Sequence, residues 1–191
     1  MASKETVLIT GCSDDGIGYG LAAQFQKRGY HVFATARNVS KMSKLKDLAN
    51  LTLLQLDVVE PTHIKAAVEA VTRETGGTLD YLISNAGHNH FMPILDEDLD
   101  TVKTLFDINV FGPMALSKAF APLVLKAKGS FAFITSISGY VNTPWMGEHS
   151  CDMVASSAKP CAQAHMLQRS EALSSSLRPY ASKSSRLAST S

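Results

Sequence analysis

A chain of 191 residues that is 45% hydrophobic, 18% charged and of formal net charge +1 has the makeup of one globular domain with a real core. The balanced charge excludes a nucleic-acid footprint, and the apolar runs read as shorter than the ~20 residues that a bilayer span needs. Met1 to Thr6 leads directly into apolar sequence with no readable signal peptide, and Cys12, Cys151 and Cys161 have neither metal-ligand nor disulfide-framework spacing, so a reducing, cytoplasmic setting is expected.

The first apolar run, Val7 to Ile9, reads as a strand and meets the turn Thr10-Gly11-Cys12-Ser13-Asp14-Asp15-Gly16-Ile17-Gly18. Helical spacing starts at Ile17: Ile17, Leu21, Ala22 and Phe25 recur on one face, and Gly29 stops the helix after Arg28. Strand, glycine loop and helix in that order form the first βα unit of a dinucleotide-binding sheet. Glycine turns sharply and lets backbone approach a ligand, while the helix start offers unpaired N–H groups to a pyrophosphate. The spacing Gly11-x4-Gly16-x-Gly18 is not G-x-G-x-x-G, so a plain strand-to-helix turn stays open as the alternative.

His31 to Ala36 is a second strand, ended by Arg37-Asn38, and Ser40 to Ala49 reads as a polar helix. Leu51 to Leu56 is the third strand, closed by Asp57. Pro61-Thr62 opens a helix with Thr62 as its expected cap; Ile64, Ala67, Val68 and Val71 form the inner face, and Gly76-Gly77 ends it. Leu79 to Ser84 is a fourth strand running into Asn85-Ala86-Gly87. Past Pro93 a long helix is expected from Asp98 to Lys126, then a fifth strand from Ser130 to Thr135 with Ser136 at its end. Strands alternating with helices predict an α/β fold, a Rossmann-type doubly wound parallel sheet, over residues 1–148.

From Cys151 to Ser191 the character changes: 41 residues hold eleven serines, seven alanines and no glycine, and no strand can be found in them. Residues 149–191 therefore read as a divergent, poorly ordered tail, with a helix from Ala162 to Leu177 as the alternative.

Several residues carry chemistry on their own terms. Arg37 follows the second strand, where the adenosine ribose of a dinucleotide should lie, and a guanidinium there can fork onto a 2′-phosphate. An acid would instead accept from a 2′-hydroxyl, and Ala36 is not one, so NADP(H) is expected over NAD(H). Asn85 sits at a strand end, the crevice edge of an open sheet, and Asn109 is an amide in an apolar helix that needs partners. Lys118 is taken as facing the cofactor, with a solvated surface charge as the alternative.

The order of Thr10-Gly11 to Gly16-Ile17-Gly18, Asp57, Asn85-Ala86-Gly87, Asn109-Val110-x-Gly112 and Ser136 resembles the short-chain dehydrogenase/reductase family over about the first three quarters of the chain. Thr10 to Ser13 with the lengthened loop, Ala34-Thr35-Ala36-Arg37, and Gly139-Tyr140 before Thr143-Pro144 are most similar to fungal members of the 1-acyl-dihydroxyacetone-phosphate reductase type. The resemblance implies a cofactor site of Gly11, Ser13, Gly16, Ile17, Gly18, Arg37, Asp57, Asn85 and Gly87, with Asp57 on the adenine amino group. It implies that Asn109 bends its helix and holds a water in a proton relay, and that Ser136 hydrogen-bonds a substrate carbonyl. The implied reaction is hydride transfer between a nicotinamide and a small carbonyl or alcohol substrate, with no metal and no nucleic-acid partner. The family tyrosine and its lysine one turn later fall on His149 and Met153, which implies a second possibility: a remnant that holds the dinucleotide without turning it over. The resemblance implies a homo-oligomer, and because the later strands and helices of the family pattern are not found after residue 148, an incomplete interface is expected.

Overall fold

The structure, a computed structural model, describes residues 4–140. Five strands, β1 (Thr6–Thr10), β2 (His31–Ala36), β3 (Leu51–Gln55), β4 (Tyr81–Ser84) and β5 (Ser130–Phe133), form one sheet in the order β3-β2-β1-β4-β5. Every neighbouring pair is parallel, so the expected α/β doubly wound sheet is the observed fold. Among the described residues four α-helices complete the layers: α1 (Ile17–Lys27), α2 (Pro61–Thr75), α3 (Leu99–Phe106) and α4 (Gly112–Ala127).

Strand alternation divides the core in two. Leu8, Phe33 and Leu82 point to the face packed by α2 and α4, against Ile64, Val71, Leu116, Phe120 and Val124. Val7, Ile9, Val32, Ala34 and Ile83 point to the other face, against Ala22, Met42 and Leu45. At the start of β1 and β4 a reciprocal clasp sets the register: Thr6 donates from its N–H and its hydroxyl to Asp80 Oδ2 (2.8 and 2.9 Å), and Asp80 N–H donates back to Thr6 Oγ1 (3.1 Å).

The elements depart from expectation where local chemistry overrides periodicity. Glu60, not Thr62, is the cap residue of α2, with no side-chain bond, because Pro61 occupies the first helical turn and needs no N–H partner. The helix expected over Ser40 to Ala49 is instead a pair of 3-10 turns, Val39–Leu45, kinked at Met42. Met42 and Leu45 are the buried pair, and their spacing of three suits a 3-10 turn. The fifth strand is shorter than expected: β5 ends at Phe133, and Ile134 and Thr135 lie beyond it, although the Ile134 N–H still bonds Ser84 O at 2.9 Å.

The long helix is broken into α3, a π-turn at Asp107–Phe111, and α4. Pro113 has no N–H for the ordinary helical bond to Asn109, and the Gly112 N–H reaches five residues back to Asp107 O. Glycine is needed here, because a Cβ would lie 2.8 Å from Val58 Cγ2. This stretch also corrects the reading of short apolar runs: Leu99–Ala127 is long and apolar enough to cross a membrane by length and composition. Half of its most apolar window is buried within the fold, with Leu116, Phe120 and Val124 in the core cluster on the sheet, as a core helix requires.

Candidate functional site

The chain winds from β1 outward to β3 and returns to place β4 beside β1, so the crevice opens where the C-terminal ends of β1 and β4 diverge. Thr10, at the end of β1, is buried, and its hydroxyl accepts from Asn85 N–H (3.0 Å) and Ala86 N–H (2.9 Å). Asn85 answers with its side-chain amide, which donates to Thr10 O (2.8 Å) and Gly11 O (3.2 Å). The glycine loop and the segment after β4 are thereby one unit.

Two glycines make that contact possible. Gly11 has φ +74°, and a Cβ there would sit 2.9 Å from Ala86 Cα. A Cβ on Gly18 would lie 2.3 Å from Gly11 O and 2.7 Å from Asn85 Nδ2. Gly18 is thus a packing glycine, buried under the loop, and Gly16 is the cap of α1, its N–H bonded to Ser13 O at 3.1 Å.

Above them lies a cleft of about 410 Å3. Of the expected cofactor residues it brings together Gly11, Ser13, Ile17, Arg37, Asp57, Asn85 and Gly87. Arg37 is exposed at the end of β2, and its carbonyl is held by Gln55 Nε2 at 3.2 Å. Asp57 Oδ1 accepts from Val59 N–H (3.3 Å), and its own N–H donates to His63 Nδ1 (3.3 Å). Sequence reasoning missed Asn38, Lys41 and His88, which also line the cleft. Lys41 carried a signal: it is a second cation four residues beyond Arg37, just past the end of β2.

The other expected site residues lie elsewhere. Asn109 is buried beneath the cleft, where Oδ1 accepts from His88 N–H and Nδ2 donates to His88 O, both at 2.8 Å. Its place in the π-turn accords with the expected local bend. Ser136 follows β5 and caps a 3-10 turn, Ile137–Gly139; it donates to Ser138 Oγ (3.1 Å) and accepts from Ser138 N–H (3.2 Å). Lys118 is a correction. It lies on the exposed face of α4 and borders a separate depression with Val59, Phe111 and Ala115. His149 and Met153 lie outside the described residues.

Cys12, at the foot of the glycine loop, is buried and donates to Ile9 O at 3.2 Å. Burial pushes its thiol up to about 12, against a smaller downward effect of the Thr35 backbone, so it is a neutral packing group at ordinary pH.

The family model for short chain dehydrogenase matches residues 5–152. The chain belongs to the short-chain dehydrogenase family. It is 43% identical over 177 residues to the short-chain dehydrogenase PC-15 of Penicillium crustosum, an alignment over 93% of this chain that runs past residue 148. It is 39% identical over 141 residues, 74% of this chain, to the NADPH-dependent 1-acyldihydroxyacetone phosphate reductase of Schizosaccharomyces pombe. The structure of ElxO with NADP bound superposes with a TM-score of 0.73 at 26% identity, over 80% of this chain and 64% of that one. This short-chain dehydrogenase chain spans 62% of the length of the Penicillium relative and 47% of that of the Schizosaccharomyces relative.

Proposed function

We propose that this chain binds NADP(H) in the β1–β4 cleft and belongs to an oxidoreductase that moves a hydride between the nicotinamide and a small carbonyl or alcohol. The observation that carries the reading is the pair of cations, Arg37 and Lys41, lining the cleft after β2, where Ala36 leaves no acid to accept from a ribose 2′-hydroxyl. The remaining walls fit a dinucleotide. Gly11 and Gly18 keep the loop free of Cβ atoms, and the start of α1 offers N–H groups that have no partner within the helix. Asp57 supplies an acceptor at the end of β3 for the adenine amino group, and Ile17, 68% exposed, supplies an apolar wall. When bound, the nicotinamide supplies or accepts the hydride at its C4. In this reading Ser136 holds the substrate carbonyl, and Asn109 fixes the His88 backbone beneath the cleft.

Residues 1–148 are assigned to the dinucleotide-binding domain and residues 149–191 to a Ser/Ala-rich tail, in a cytoplasmic setting. Titration with NADPH and NADH during thermal unfolding tests the binding. A ligand at 100 times its Kd adds about 2.7 kcal/mol, so NADPH should raise the midpoint by several degrees and NADH by less. No shift up to millimolar NADPH overturns the reading. The sequence favours one further reading, binding without turnover, because His149 and Met153 stand where the family resemblance puts a tyrosine and a lysine. NADPH oxidation followed at 340 nm with simple ketones separates the two; turnover that His149→Phe abolishes would make the imidazole the proton donor.

A further inference from the structure

The lengthened glycine loop is bonded to the 3-10 segment Val39–Leu45, of which Lys41 lines the cleft. Asp14 Oδ2 accepts from Ser43 Oγ (2.7 Å) and Ser43 N–H (3.0 Å), and Oδ1 accepts from Lys44 N–H (3.1 Å). Asp14 N–H donates to Lys41 O at 2.7 Å. Next to it Asp15 takes φ +65°, turning the chain back toward α1, and its carboxylate meets Lys44 Nζ at 2.6 Å. The 3-10 segment therefore has two caps. Asn38 caps its first turn by accepting from Ser40 N–H at 2.9 Å, while Asp14, from a loop 29 residues earlier, caps the turn after the Met42 kink. Hydrogen bonding from the Ser43 hydroxyl, with the Lys44 and Ser43 backbone, holds the Asp14 carboxyl below its ordinary range, so it stays an acceptor.

Lys41 lies between these caps. Its N–H donates to Asn38 O at 3.1 Å and its carbonyl accepts from Asp14 N–H, while the residue lines the cleft with Arg37. We infer that Asp14 is a positioning residue for cofactor choice: by capping Ser43 and Lys44 it ties the pyrophosphate loop to the 38–45 segment and places Lys41 for a 2′-phosphate. The inference rests on the NADP(H) reading of the cleft. It also runs against simple electrostatics, because a carboxylate beside a phosphate site repels the ligand, and removing it should by charge alone tighten binding.

The test is calorimetric titration of the full chain with adenosine 2′,5′-bisphosphate and with 5′-AMP, which need no turnover. Asp14→Ala should weaken the bisphosphate by about tenfold and 5′-AMP by about twofold or less. Asp14→Asn, which keeps an acceptor for Ser43, should recover part of the loss. Ser43→Ala, which leaves every charge in place, should weaken the bisphosphate in the same direction. In a Lys41→Ala background, Asp14→Ala should cost less than about twofold, since the group it positions is gone. Unchanged or tighter bisphosphate binding in Asp14→Ala, or equal losses for both ligands, overturns the role of Asp14 alone. If Asp14→Ala does not fold, unchanged selectivity in Ser43→Ala overturns it. A wild-type chain that binds neither the bisphosphate nor NADPH overturns the NADP(H) reading and this inference with it.

Discussion

Replacing Thr10 by valine is the sharpest test of how the crevice is held open. Valine keeps the shape of threonine and loses only the hydroxyl, and that hydroxyl is the acceptor for both Asn85 N–H and Ala86 N–H. Thr10 is 1% exposed, so neither donor regains a partner from the new side chain. Each orphaned donor costs about 1–3 kcal/mol, and because both lie in a partly buried segment the lower half of that range applies, about 2–4 kcal/mol together. That is a large share of the 5–15 kcal/mol that typically holds a domain, and at about 2–4 °C per kcal/mol it lowers the midpoint by roughly 4–16 °C. Urea unfolding of the full chain should show the loss as a lower midpoint at an unchanged slope. Thr10→Ser retains the acceptor and drops a methyl, and should cost about 1 kcal/mol. A valine variant within about 0.5 kcal/mol of wild type, or a serine variant as damaged as the valine one, would show that the crevice is not held by this hydroxyl.

Three further outcomes follow from the same geometry. Gly18→Ala forces a Cβ to within 2.3 Å of Gly11 O, a backbone atom that cannot move aside, so it should destabilise the chain by about 1–3 kcal/mol or more and remove the NADPH-dependent midpoint shift; a fully stable, NADPH-responsive variant would refute the close-packing role. Arg37→Glu should reverse the order of NADPH and NADH binding in the same melting assay, and an unchanged order would remove Arg37 from the 2′-phosphate corner. The Cys12 thiol moves from 9.0 in the open chain to about 12 when folded, so its contribution is intact below pH 9 and is lost as pH rises through that window, because only the unfolded state ionises there. The fall is on the order of 4 kcal/mol in full, and Cys12→Ala should lose less stability than wild type between pH 8 and about 11 when both are unfolded in urea.

Much of the fold was open to reading because buried parallel strands are short, apolar and spaced by amphipathic helices; Val7 to Ile9, His31 to Ala36 and Leu51 to Gln55 stand where expected. The strand-end residues Gly11, Arg37, Asp57 and Asn85 were equally accessible, since a doubly wound sheet brings all its C-terminal strand ends to one edge. What escaped was set by tertiary contact. The turns at Val39–Leu45 are capped by Asp14, which no window around Ser40 contains. Lys118 was open to two readings, a cleft residue or a solvated charge, and its exposed place on α4 beside a separate depression agrees with the second. The π-turn was implied only through Asn109, although Gly112-Pro113 announces it once the missing proline N–H is counted.

The β1–β4 pairing has an entropic meaning as well as a spatial one. The clasp between Thr6 and Asp80 joins residues 74 positions apart, whereas each β1–β2 and β2–β3 pair closes over a single short crossover. Loop closure costs more for the longer span, by about 1 kcal/mol for three times the length, so this pairing carries the largest closure cost in the sheet. The crevice exists only along that seam. A nascent chain that has formed β1, β2 and β3 has the glycine loop and Arg37 but no Asn85 against them, and nothing yet to receive a ligand. A ligand seated in the crevice would therefore stabilise the longest-range pairing of the sheet.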